Sequence, residues 1–174
     1  MIKRKIPFAH AKSIYDVDLS FYKKHGIKVV LTDLDNTLAP IYQKDADEKV
    51  FDLVKRYKEV GLRLIIISNN TGKRVKRFSA ELGIENACWM LKPLSFRLKK
   101  FLKKQKIEKN EVILVGDQLL TDIMAGNGAK IKTLLTEPLV PEDPIWTRWN
   151  RFFEKPTRKK LLAKHIVKEW EETL

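Results

Sequence analysis

The chain has 174 residues, 44% of them hydrophobic, with 35 Lys and Arg against 22 Asp and Glu and a formal net charge of +13. Its length suits one domain, residues 1–174, with a real hydrophobic core, and its apolar fraction excludes a disordered chain. A single cysteine, Cys88, excludes an intramolecular disulfide, and no segment has the apolar length of a signal peptide or a membrane span, so a cytoplasmic protein is expected.

Strands and helices alternate along the chain. Residues 27–33 (IKVVLTD) read as a buried strand. Residues 46–60 read as a helix with Val50, Leu53, Val54 and Tyr57 on one side and Gly61 as its stop. A second strand covers 62–68 (LRLIIIS). A helix over 72–82 turns Val75, Phe78 and Leu82 inward and is closed by Gly83. A short third strand is expected at 87–91. The helix 94–105 follows, with Leu94, Leu98, Phe101 and Leu102 inward. A fourth strand covers 111–116, a short helix 119–128 and a fifth strand 130–135. Such alternation, with apolar runs rather than apolar-polar alternation in the strands, predicts an α/β fold. Its parallel sheet of about five strands is covered by helices on both faces.

Polar residues then fall at the strand ends. Asp33 and Asp35 follow the first strand, Ser68 and Asn69 end the second, Lys92 follows the third and Asp117 the fourth. Open α/β sheets bind ligands at the carboxyl edge of their strands. Asp33 and Asp35 are two apart, so on an extended chain they point the same way, and Asp117 would add a third charge. Alone, an Asp-x-Asp pair is as well explained by a turn or a helix cap. Gathered with Ser68, Lys92 and Asp117, it asks for a cation, and oxygen-only ligands select a hard one such as Mg²⁺. An EF-hand calcium loop is excluded, because Leu38 and Lys44 stand where Gly and Glu are needed.

These residues resemble the motifs of the haloacid dehalogenase (HAD) superfamily of phosphatases. "DLDNT" is similar to its first motif, "ISN" to its strand-two Ser/Thr motif, Lys92 in "LKP" to its third and "GDQLLTD" to its acidic fourth. The spacing and the lead-in "SIYDVDL" at 13–19 resemble subfamily IIIA, the YqeG-type branch, which is related to mitochondrial phosphatidylglycerophosphate phosphatases. The resemblance spans about residues 27–135 and implies a Rossmann-like HAD fold. It implies Asp33 as nucleophile, forming an aspartyl-phosphate, and Asp35 as general acid and then base. Asp33, Asp117 and the Asp35 carbonyl would hold Mg²⁺. Ser68 and the Asn69 amide would bind phosphoryl oxygens, and Lys92 would neutralise the charge shared by Asp33 and the phosphate. Thr37 would orient the nucleophile's loop and Asp122 would support a metal-bound water or Lys92. Among relatives sharing the fold, a dehalogenase has no task for Asp35, and a P-type ATPase carries Thr there in a far longer chain.

The intervals between the motifs are each close to one βαβ unit of about 30 residues. No inserted cap domain is expected, so the site should be open to a phosphate displayed on something large. Residues 138–174 form a C-terminal extension that interleaves Trp146, Trp149, Phe152 and Phe153 with Arg148, Arg151 and Lys155. The plain expectation is that these aromatics cover the flank of the sheet, with a helix 157–171 placing Leu162, Ile166 and Trp170 in line. The lysine runs near 73–77 and 99–106 read as solvated helix faces. The basic charge suits a phosphorylated substrate on an anionic phospholipid surface and peripheral association with the inner face of a membrane. Soluble sugar phosphates, nucleotides and phosphoproteins are alternative substrates. A basic nucleic-acid or ribosome-binding module is the alternative without catalysis.

Overall fold

The structure, a computed structural model, describes residues 2–69, 72–141 and 145–174, and the side chains of all of these except residues 2, 3 and 145–150. Six parallel strands form one sheet in the order β1-β6-β5-β2-β3-β4. In chain order these are β1 (Ala9–Ala11), β2 (Val29–Thr32), β3 (Arg63–Ile67), β4 (Glu85–Ala87), β5 (Val112–Gly116) and β6 (Lys132–Thr136). The helices are α1 (Leu19–Lys24), α2 (Glu48–Glu59), α3 (Lys73–Leu82), α4 (Ser95–Lys104), α5 (Met124–Ala129) and α6 (Ile145–Ala163). A π-helical turn, Leu119–Ile123, leads into α5.

Strand alternation divides the core in two. Val30, Ile66, Ile113 and Val115 face Phe21, Tyr22, Leu53, Tyr57 and Phe78 of α1, α2 and α3. Leu31, Ile65, Ile67 and Leu114 face Leu98, Leu102 and Ala125 of α4 and α5. Each buried Val, Leu, Ile or Phe among them contributes roughly 1.5–3 kcal/mol by leaving water. The buried phenols of Tyr22 and Tyr57 satisfy one another at 2.7 Å. Asp47 caps α2 by accepting from the Val50 N–H at 3.1 Å, and Gly83 closes α3 in the left-handed conformation at φ 60°.

Five expectations change. The sheet has six strands rather than about five, because β1 adds an edge strand. β4 ends at Ala87, before most of the expected 87–91. In α4, Leu98 and Leu102 are buried but Leu94 is exposed. The expected helix 157–171 is instead the end of α6, which stops at Ala163. The chain then runs beside β1, where the His10 N–H donates to the Lys168 carbonyl and the Trp170 N–H donates to the His10 carbonyl, both at 2.9 Å. The residues that pack here are therefore Leu161, Val167 and Trp170, while Ile166 is exposed. Phe152 and Phe153 are likewise exposed and do not cover the sheet; the side chains of Trp146, Arg148 and Trp149 lie outside the described residues. No helix among the described residues is long and apolar enough to cross a membrane.

Candidate active site

β2 places the first carboxylate. The Asp33 N–H donates to the Val115 carbonyl at 3.0 Å, so the pairing of β2 with β5 continues one residue past the strand and fixes Asp33 beside Asp117. The chain then turns at once. Asn36 is left-handed at φ 62°, a conformation Asn tolerates better than most residues, and its N–H donates to the Ala39 carbonyl at 2.8 Å. The turn sends the side chains of Asp33 and Asp35 to different cations. Asp33 pairs with Lys92, and Asp35 pairs with Arg74.

The Lys92 ammonium has three protons and three acceptors: Asp33 Oδ1 at 2.6 Å, Asp122 Oδ1 at 2.7 Å and the Ile67 carbonyl at 3.3 Å. Asn69 fixes its backbone from both sides, donating to the Lys92 carbonyl at 2.9 Å and accepting from the Lys92 N–H at 2.7 Å. Ser68 is buried at the end of β3, where its N–H donates to the Ala87 carbonyl at 3.0 Å. Asp122 is carried by the π-helical turn, and its Oδ2 accepts from the Gln118 N–H at 3.2 Å. Gly116 leaves room for it, since a Cβ there would lie 2.3 Å from Asp122 Cγ.

Asp117 is fully buried. Its Oδ1 accepts from the Thr37 hydroxyl at 3.1 Å, and its Oδ2 accepts from Arg151 of α6. Arg158, two turns along α6, donates to the Asp117 carbonyl at 2.8 Å and to the Thr136 carbonyl at 2.6 Å. Glu154, between them, accepts from the Leu120 N–H at 2.7 Å; burial raises its pKa to about 7. One face of α6 thus borders the site. Among the described residues no domain stands between β2 and α2 or between β3 and α3, and the site is not simply open, because α6 borders it.

The electrostatics ask for a cation. Carboxylate oxygens of Asp33, Asp117 and Asp122 lie within 4.8 Å of one another. Burial raises the Asp33 pKa to about 8, against the pull of the Lys92 ammonium, and raises that of Asp117 to about 6, against Arg151. Lys92 itself is loaded with its proton: burial disfavours the charge, but Asp122 and Asp33 more than offset it. Three desolvated carboxylates outnumber the Lys92 ammonium and the Arg151 guanidinium, which suits a hard divalent ion, and neither His nor Cys joins the cluster among the described residues. The residues present fit Mg²⁺. Asp122 shares the cluster, while Asp35 was expected to contribute only its carbonyl.

Hydrogen bonds and ion pairs join Asp33, Lys92 and Asp122 on one side and Thr37 and Asp117 on the other, Asn69 holds the Lys92 backbone, and Asp35 faces Arg74 instead. Sequence reasoning missed Arg74, Arg151, Glu154 and Arg158. Arg74 sits in a run read as a solvated face, yet it is half-buried. Besides pairing with Asp35 it donates to the carbonyls of Gln43 at 3.0 Å and Pro40 at 2.8 Å, tying the loop after β2 to α3.

Comparison with known proteins agrees with this geometry. The family described as mitochondrial PGP phosphatase matches residues 2–140. The chain is 33% identical over 167 residues to the probable phosphatase YqeG of Bacillus subtilis, covering 96% of both chains. It is 30% identical over 171 residues to the chloroplastic/mitochondrial phosphatidylglycerophosphate phosphatase 1 of Arabidopsis thaliana, covering 92% of this chain and 49% of that protein. In fold it is similar to an uncharacterized Listeria monocytogenes protein, with TM-score 0.53, 18% identity and coverage of 79% and 99%. It is also similar to the cobalt-bound deoxy-D-mannose-octulosonate 8-phosphate phosphatase of Haemophilus influenzae, with TM-score 0.50, 21% identity and coverage of 74% and 77%. A carboxylate-lysine cluster at the strand ends and these relatives together assign the chain to the mitochondrial PGP phosphatase family, as a YqeG-type phosphatase of HAD subfamily IIIA.

Proposed function

We propose that this phosphatase hydrolyses phosphatidylglycerophosphate in two steps through an aspartyl-phosphate on Asp33, with Mg²⁺ held by Asp33, Asp117 and the Asp35 carbonyl, and with Asp122 beside them. The observation that carries the reading is the Lys92 ammonium locked between Asp33 and Asp122 at 2.6 and 2.7 Å, next to Asp117. A carboxylate nucleophile meets a phosphate dianion only if fixed positive charge offsets the repulsion. When bound, the metal ion supplies further positive charge at the phosphoryl oxygens.

In the first step an Asp33 oxygen bonds to phosphorus, the ester P–O bond breaks, and Asp35 gives its proton to the departing alkoxide. In the second, water gives a proton to Asp35 and its oxygen bonds to phosphorus. The bond to Asp33 breaks, and inorganic phosphate leaves. Arg74 pairs with Asp35 and holds the carboxylate in place. The incoming phosphate dianion favours the protonated form, the one needed as acid. Ser68 and the Asn69 amide would bind phosphoryl oxygens, with Thr37 steadying Asp117. The lipid substrate is supported by the family matched and by the basic charge.

The test compares phosphate release from phosphatidylglycerophosphate in mixed micelles with release from sugar phosphates, nucleotides and phosphopeptides, with and without EDTA. The lipid should be the best substrate, and EDTA should stop the reaction. A soluble phosphate turned over far faster would remove the lipid assignment. Undiminished activity in EDTA would remove the metal.

A further inference from the structure

Large apolar side chains are exposed beside the site on two sides. After β4 the chain alternates: Trp89 and Leu91 are exposed, while Met90 and Lys92 are buried. Trp89 and Leu91 both hold left-handed backbone, at φ 57° and 54°, which bulky residues rarely adopt. The same peptide geometry that sends Lys92 in to Asp33 therefore sends Trp89 and Leu91 out. Arg97 steadies this arrangement, donating to the Trp89 carbonyl at 2.6 Å with its guanidinium over the Phe96 ring. Leu94 and Phe96, at the start of α4, are each 56% exposed. Across the site, Arg151 turns in to Asp117 while the next two residues, Phe152 and Phe153, are 65% and 60% exposed.

The two segments that carry these rings are basic. Residues 88–104 contain no Asp or Glu, and α6 contains one, Glu154, which is buried. Exposed cations in the same segments include Arg97, Lys99, Lys100, Lys155 and Lys159. Exposed apolar groups on basic segments fit a surface that is anionic outside and apolar within.

We propose that these two ridges, Trp89–Phe96 and Phe152–Phe153, dock the protein on an anionic lipid bilayer with the carboxyl edge of the sheet facing the membrane. The proposal rests on the phosphatase reading only in taking that edge as the active site. Single-stranded nucleic acid would use flat rings left open for stacking. Here two of the four exposed residues in the first ridge are leucines, which gain by leaving water and do not stack. Phe152 and Phe153 lie edge to face at 81°. A second copy of the chain would bring the same positive charge against itself.

The experiment measures sedimentation of the full chain with vesicles of phosphatidylcholine alone or mixed with phosphatidylglycerol, neither of which carries a phosphomonoester. Hydrolysis of p-nitrophenyl phosphate is measured separately. Wild type should bind the anionic vesicles and not the neutral ones. Trp89→Ser/Phe96→Ser and Phe152→Ser/Phe153→Ser should each lose about tenfold or more in partitioning, because the deleted rings no longer leave water on binding. Their turnover of the soluble ester should be unchanged. Wild type that ignores anionic vesicles, or variants that bind them as well as wild type does, would overturn the proposal. So would displacement from the vesicles by single-stranded RNA through the same residues. Vesicle binding without turnover of the soluble ester would instead defeat the phosphatase reading and leave the docking surface standing.

Discussion

Arg151, near the start of the C-terminal helix, donates to Oδ2 of Asp117 at the end of β5. The carboxylate is fully buried and the guanidinium nearly so. In the absence of metal, Arg151 therefore supplies charge that the buried cluster needs. Removing one partner of a fully buried pair costs about 3–5 kcal/mol, and the partial exposure of Arg151 reduces this to roughly 2 kcal/mol. Arg151→Gln should lower the midpoint of thermal unfolding in EDTA. Millimolar Mg²⁺ should restore much of the loss, because a divalent ion on Asp117 replaces the missing charge. An equal deficit with and without Mg²⁺ would show that Asp117 is not among the metal's ligands.

Asp33→Asn keeps the shape of the side chain and leaves Lys92 with Asp122 and the Ile67 carbonyl as partners. The fold should change in stability by no more than about 1 kcal/mol. Turnover should fall by about four orders of magnitude or more, as when other covalent nucleophiles are removed. Asp35→Asn should lose about 10²–10⁴ in rate on alkyl phosphates, the usual contribution of a general acid. The loss should be smaller on activated aryl phosphates, whose leaving groups need no proton. Equal losses on both, measured under single turnover, would show that Asp35 is not the acid.

The parts of this site readable in the sequence share one property: each is an apolar run that ends in a polar residue. Val29–Thr32, Arg63–Ile67 and Val112–Gly116 are buried on both faces, so their composition announces them, and Asp33, Ser68 and Asp117 follow at their ends. β1 is Ala-His-Ala and has no such signal; its pairing with β6 and with residues near Lys168 depends on contacts from both ends of the chain. Arg74 was unreadable because its neighbours in the basic run do face solvent, and one half-buried arginine looks the same in sequence. Arg151, Glu154 and Arg158 lie one helical turn apart, but the aromatics between them drew attention to the other face. Asp122, read from the sequence as positioning a metal-bound water or Lys92, accepts from the Lys92 ammonium at 2.7 Å.

Gly116 tests how tightly Asp122 is set. A methyl group there would sit 2.3 Å from Asp122 Cγ and 2.5 Å from its Oδ2, so the carboxylate must move. Lys92 would then lose one of its two ionic partners. Gly116→Ala should reduce turnover by at least about a hundredfold, the order expected when a catalytic cation is displaced by an ångström. The methyl would also sit 2.4 Å from Asp122 Cβ, so only Asp122→Gly removes the clash from the other side, and it should recover part of the stability but not the rate. Turnover close to wild type in Gly116→Ala would mean that the position of Asp122 does not matter to the reaction.

His10 ties the two ends of the chain together and sets a pH dependence of stability. Its Nδ1 lies 2.9 Å from Glu169 and its Nε2 3.0 Å from Glu137, which also pairs with Arg158 at 3.0 Å. Burial opposes the imidazolium, but the hydrogen bonds to Glu137 and Glu169 outweigh it and raise the His10 pKa above its ordinary 6.5. The hydrogen bond from His10 is also the main cause that depresses Glu137, from 4.5 to about 2. A raised histidine stabilises the fold fully below its unfolded pKa, and that contribution is lost as pH rises through the folded value. A depressed carboxylate stabilises the fold above its unfolded pKa, and that contribution is lost as pH falls toward the folded value. Both act together between about pH 4.5 and 6.5, the two unfolded values. The stability difference between wild type and His10→Gln should therefore be largest near pH 5.5 and shrink toward about pH 9. Denaturant unfolding across that range measures it, and hydrogen exchange of the Trp170 amide, bonded to the His10 carbonyl, reports the same loss locally. A difference independent of pH would mean that His10 serves here by shape alone, without its charge.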